Sequence, residues 1–152
     1  MNLEDIKALY QKKQDMLLSI FSESKKNPQK IYEKIIDLGR TLSSSNNEIT
    51  KDEYLIHGCQ SRVYLASAIS SQGIVTYDVH SDALISSGLA SLLLFIYNKE
   101  KIELTLFCPP LFIQELGLPS ALSIGRSNGL ASMYARMQQD AKKLFIQMHA
   151  SV

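Results

Sequence analysis

The chain has 152 residues, 45% of them hydrophobic and 20% charged, which suits one domain with a single hydrophobic core. Sixteen Lys and Arg nearly balance fifteen Asp and Glu, so no charge excess draws it to nucleic acid or an anionic membrane. The two cysteines, Cys59 and Cys108, form no CxxC, no zinc-ligand spacing and no disulfide framework, and read as reduced thiols of a cytoplasmic protein.

Met1-Asn2-Leu3-Glu4-Asp5 has no basic stretch leading into an apolar one, so no secretory signal is expected. Leu3, Ile6, Leu9, Tyr10, Leu17, Ile20 and Phe21 recur at helical spacing with Lys and Gln between them, predicting an amphipathic helix over residues 3–22. Asn27-Pro28 is a start signal for a second helix striped by Ile31, Tyr32, Ile35 and Ile36, with Gly39 as its expected stop. Residues 40–53, rich in serine and asparagine at positions 43–47, read as a surface loop.

The period then changes from helical to alternating. Val63, Leu65, Ser67 and Ile69 alternate with Tyr64, Ala66, Ala68 and Ser70 as a strand, Ser71-Gln72-Gly73 turns the chain, and Ile74 to Val79 returns. Tyr54 to Ile56 is expected to add a third strand on the other side of Cys59. A helix is predicted from Ser81 as cap to about residue 98, with Asp82 opening it at its positive end. Its apolar run is too short to span a bilayer and is interrupted by Ser86, Ser87, Gly88 and Ser91, so no membrane association is expected. Cys108-Pro109-Pro110 breaks the chain, and a short helix ends at Gly117. Leu130, Met133, Met137, Ala141, Leu144, Phe145 and Met148 form the stripe of a last helix. The order predicts a single α+β domain over residues 1–152: N-terminal helices, a small antiparallel β-meander, and C-terminal helices packed on one face.

Gly58-Cys59-Gln60-Ser61-Arg62-Val63-Tyr64 is the most informative stretch. A cysteine directly after glycine, at the mouth of a strand, can be approached closely, and thiol chemistry depends on access and on thiolate formation. His57, two residues before Cys59, would share its side in an extended segment and suggests a thiol hydrolase as one alternative. Cys108 has no base or second thiol beside it and reads as structural. His80 and His149 do not complete a metal-ligand spacing with Cys59, so no metal site is expected.

Three blocks in order resemble the SufE-type sulfur acceptors of iron–sulfur cluster assembly. They are Gly58-Cys59-Gln60-Ser61 with Val63 and Tyr64; Ser81-Asp82-Ala83 running to Ile85 and Gly88-Leu89-Ala90; and Leu116-Gly117-Leu118, Leu122-Ser123 and Arg126-Ser127-Asn128-Gly129-Leu130 with Met133. The resemblance covers roughly residues 28–148. It departs at Tyr64, where the family often has tryptophan, at the variable position Arg62, and at Cys108-Pro109-Pro110.

The resemblance implies a SufE/IscU-like fold and a non-enzymatic relay. Cys59 would take persulfide sulfur from a SufS-like cysteine desulfurase, stimulating it, and pass the sulfur to a SufBCD-like scaffold complex. The pyridoxal phosphate chemistry would belong to the desulfurase, so no cofactor is expected on this chain. Gly58 would give the cysteine loop its flexibility. Arg62 and Arg126 are candidate cations for the thiolate, and Asp82 a candidate loop anchor near the partner surface. An iron–sulfur scaffold is the other alternative, but it needs more cysteine ligands than two distant thiols supply.

Overall fold

The computed structural model describes residues 1–24, 27–42 and 47–150. Helix α1 (Leu3–Ile20) opens on a capping box: the Asp5 N–H donates to the Asn2 side chain at 2.9 Å, and the Asp5 carboxylate accepts the Asn2 N–H. Asn27 caps α2 (Pro28–Thr41) through the Lys30 N–H, with Pro28 in the first turn. The α2 start follows its Asn27-Pro28 signal, and α1 begins at the predicted Leu3 and ends within two residues of its predicted end.

Gly39 does not stop α2, which runs on to Thr41. It lies where α2 crosses α3 (Leu84–Tyr97), opposite Gly88. A Cβ on Gly39 would collide with the Leu84 carbonyl, and one on Gly88 would collide with the Ile35 carbonyl. Two missing side chains let the helices touch backbone to backbone.

The sheet is antiparallel, in the order β1 (Val63–Ile69), β2 (Ile74–Ser81), β3 (Glu100–Lys101). Gly73 takes a left-handed φ of +79° in the turn between β1 and β2. The third strand is therefore the two residues of β3 beside β2, and not residues 54–56. Asp52–Tyr54 forms a 3-10 turn, after which Leu55 makes one isolated bridge to Tyr64. Within the expected loop over 40–53, Asn47–Ile49 is another 3-10 turn and Ile49 is buried, while residues 43–46 lie outside the described ones.

Ser81 ends β2, and Ala83 stands at the cap position of α3 with no side-chain cap bond. Asp82 therefore precedes the helix and is exposed. The chain continues through α4 (Ile102–Phe107), α5 (Phe112–Glu115), α6 (Leu118–Ala121) and α7 (Ile124–Ala150). Val63 and Leu65 of β1 and Val75, Tyr77 and Val79 of β2 bury one face of the sheet in a shared core with Leu89, Leu93 and Ile96 of α3 and Leu130, Met133 and Met137 of α7. This is the α+β architecture expected, with α3 at its centre. Among the described residues no helix is long and apolar enough to cross a membrane.

Candidate functional site

The segment before β1 is a loop closed at its base. Leu55 bridges Tyr64, and the Ile56 N–H donates to the Val63 carbonyl at 2.8 Å, leaving residues 57–62 as the closed turn. Gly58 sits in it with φ +94°, a conformation L side chains rarely adopt. A Cβ there would also stand 2.6 Å from the Ser132 hydroxyl, which would have to turn aside, so it is the φ that calls for glycine.

Cys59 is half-buried beneath this turn. Its thiol donates to the Gly129 carbonyl at 3.7 Å, and a Cβ on Gly129 would lie at ordinary contact distance from the sulfur, 3.8 Å. Next along the loop, the Gln60 side chain occupies the space a Cβ of Gly125 would need. Ser61 then hydrogen-bonds Ser86 on α3. The loop thus lies on α7 in reverse direction: Gln60 on Gly125, Cys59 on Gly129, Gly58 on Ser132. These are steps of four and three residues along one helix face.

Between the loop, α3 and the first turns of α7 lies a cavity of about 220 Å³, lined by Cys59, Gln60 and Ser61, by Ala83, Ile85, Ser86 and Leu89, and by Gly125, Arg126, Gly129 and Met133. Burial pushes the Cys59 thiol above its ordinary pKa, and desolvation of the charged form is the cause. The resting state is thus a protonated, sheltered thiol donating a hydrogen bond.

Of the candidate site residues, the cavity gathers Cys59 and Arg126, and all three sequence blocks contribute to its lining. Arg126 stands in the first turn of α7, its guanidinium 5.7 Å from the centre of the Tyr32 ring, and among the described residues it makes no ion pair. Arg62, Asp82 and His57 are all exposed and line no part of the cavity. The expectation that His57 and Cys59 share a side required an extended segment, which the left-handed Gly58 between them interrupts. Cys108 is 5% exposed in the core, where its carbonyl accepts a hydrogen bond from the Tyr97 hydroxyl at 2.6 Å. Among the described residues no three His, Cys, Asp or Glu side chains gather into a metal-binding group.

Sequence reasoning does not find Gly125, Ser132 or Ser86 as supports of the loop, nor a role for Gly129 beyond its motif. The signal available is the run of small residues at 125, 129 and 132, one helix face beside the apolar stripe of Leu130, Met133 and Met137. A larger groove of about 760 Å³ between the end of α1, the start of α2 and the α5–α6 turn holds none of the candidate residues.

Fold and site together define an α+β domain that presents one sheltered cysteine on a loop laid across a helix start. The family model described as SufE, Fe-S metabolism associated domain, matches residues 16–141. SufE-like protein 1, chloroplastic/mitochondrial, of Arabidopsis thaliana is 30% identical over 143 residues, which are 94% of this chain and 38% of that protein. This chain thus spans well under half of that relative's length. An uncharacterised SufE-like protein of Rhizobium etli is 33% identical over 115 residues, 73% of this chain and 78% of that one. The solution structure of a hypothetical protein from Thermus thermophilus superposes with a TM-score of 0.70 at 20% identity, covering 88% of this chain and 96% of that one, a likeness of fold. The chain belongs to the SufE family, whose domain is associated with iron–sulfur metabolism.

Proposed function

We propose that this protein is a sulfur acceptor whose Cys59 receives sulfane sulfur from a cysteine desulfurase and hands it on for iron–sulfur cluster assembly. The observation that carries this reading is the Cys59 thiol half-sheltered at a cavity it shares with Arg126. The donor holds its sulfur as a persulfide on its own cysteine. The Cys59 sulfur, once deprotonated, attacks the terminal sulfur; the bond between that sulfur and the donor cysteine breaks, and the donor leaves as thiolate. The proton lost by Cys59 balances the one the donor thiolate takes up, and no external oxidant or reductant is needed. The chain performs no catalysis of its own. Taking sulfur off the donor frees it for another cycle, which is how the acceptor would stimulate the desulfurase.

Three features support this chemistry. The cavity shelters a sulfur that would otherwise be lost to oxidants and stray thiols. Arg126 lines the same cavity, and a cation brought close to the sulfur favours its anionic form, whether thiolate or persulfide. Two exposed apolar residues, Leu84 (44%) and Ile124 (83%), stand directly beside the lining residues Ala83, Ile85 and Gly125, where a docking protein would cover them. The experiment is intact-mass analysis after incubation with a pyridoxal phosphate cysteine desulfurase and cysteine. The wild-type chain should gain the mass of sulfur at Cys59, and Cys59→Ser should not. A wild-type chain left unmodified beside a charged desulfurase would refute the reading.

A further inference from the structure

Arg136 and Asp140 continue the α7 face that carries the loop, four and eight residues beyond Ser132. The Arg136 guanidinium donates to the Leu55 carbonyl at 3.0 Å and to the Glu53 carbonyl at 2.7 Å, and through Nε to Asp140 Oδ1 at 3.0 Å. Asp140 Oδ2 in turn accepts the Ser67 hydroxyl of β1 at 2.7 Å. The side chains of the ion pair are only 21% and 17% exposed. A single planar guanidinium therefore ties the segment leading into the Cys59 loop to α7, and its carboxylate partner ties α7 to the strand that leaves the loop.

Helix stability alone does not account for this pair. On an isolated helix the acid is better placed four residues before the base, and here the order is reversed. The guanidinium serves two backbone carbonyls and a carboxylate from one rigid plane, a geometry that the compact ammonium of lysine matches poorly.

We propose that Arg136, held by Asp140, is the positioning residue that keeps the Cys59 loop closed on α7 and so sets how readily the thiol is reached. This rests on reading Cys59 as the sulfur-accepting thiol. Freeing the loop stem loosens the turn that presses Cys59 against Gly129, and the sulfur spends more time outside its shelter. Exposure rises although no residue of the cavity lining has been substituted.

The test is the alkylation rate of each cysteine by iodoacetamide in the full chain, resolved by peptide mapping, for wild type, Arg136→Ala, Arg136→Lys and Asp140→Asn. Cys59 is expected to react about tenfold faster in Arg136→Ala, which corresponds to about 1.4 kcal/mol. Arg136→Lys and Asp140→Asn should fall between wild type and Arg136→Ala. Cys108, buried in the core, is the internal reference: a merely structural loss would raise both thiols in step, whereas a positioning role raises Cys59 alone. Unchanged Cys59 reactivity in a folded variant, or a parallel rise at Cys108, would overturn the proposal. If Arg136→Ala does not fold, Arg136→Lys decides by the same two criteria. Sulfur loading by a desulfurase, run on the same variants, separates the two claims. Selective Cys59 exposure with no sulfur uptake even by wild type would sink the acceptor reading and leave the positioning role standing.

Discussion

The Cys59 thiol donates its hydrogen bond to the Gly129 carbonyl, at a helix position where a side chain would touch the sulfur and no more. Gly129 is thus not required by collision, as Gly39 and Gly88 are. Its absent methyl leaves the sulfur one face open to the cavity. Gly129→Ala should therefore fold, and in a helix interior the alanine should add roughly 0.5–1 kcal/mol. The melting temperature should rise by roughly 1–4 °C, and Cys59 alkylation should slow as the methyl covers the sulfur. A lower melting temperature would show that loop and helix lie closer than ordinary contact.

The protonation state of Cys59 gives a pH signature. Burial raises its pKa, so the native chain holds the thiol proton more tightly than the unfolded chain does. Stability fully present below the ordinary thiol value, about 8.5, is lost as pH rises through that value toward the native one. Thermal melts from about pH 7 to about pH 10 should fall more steeply for wild type than for Cys59→Ser, whose hydroxyl does not titrate there. The pH midpoint of Cys59 alkylation should likewise lie above that of the unfolded chain. A midpoint at or below it would mean that the Arg126 cation outweighs burial in the free protein.

The α2–α3 crossing marks where sequence reading meets its limit. Gly39 follows an apolar stripe at the spacing of a helix stop, and a glycine that ends a helix looks the same in sequence as one that lets a second helix approach. Only its opposition to Gly88, 49 residues on, separates the two. Gly88→Ala places a methyl on the Ile35 backbone, which cannot move aside like a side chain, and is expected to cost on the order of 3 kcal/mol. Chemical denaturation would measure it. A loss under about 1 kcal/mol would mean that the helices separate at little cost.

The same limit explains the site. Cys59 is legible because a glycine-cysteine pair before an alternating strand is a local pattern, and Arg126 because it belongs to a contiguous motif. Ser81 and Asp82 read as the start of a helix because serine followed by an acid is a common cap signal, yet β2 keeps Ser81 paired with Val63 and delays the helix by two residues. The two residues of β3 carry no period at all. Ser132, Arg136 and Asp140 are met by the loop, the segment before it and β1, more than 60 residues away in the chain, a relationship that no local pattern encodes.

The last contrast lies between two side chains singled out as helpers of Cys59. Arg126 lines the cavity with its guanidinium 5.7 Å from the centre of the Tyr32 ring, whereas His57 is exposed and lines no part of it. In a sulfur-loading assay Arg126→Ala should slow uptake at Cys59 by about tenfold, equivalent to about 1.4 kcal/mol of lost anion stabilisation. Arg126→Lys should recover part of that, since it restores the charge but not the guanidinium's placement over Tyr32. His57→Ala should stay within about twofold of wild type, as exposed substitutions usually do. A thiol hydrolase built on the His57–Cys59 pair requires the opposite order, with His57→Ala as inactive as Cys59→Ser. One set of four variants, each first checked for a native melting profile, therefore separates a cavity that stabilises an anionic sulfur from a dyad that activates a nucleophile.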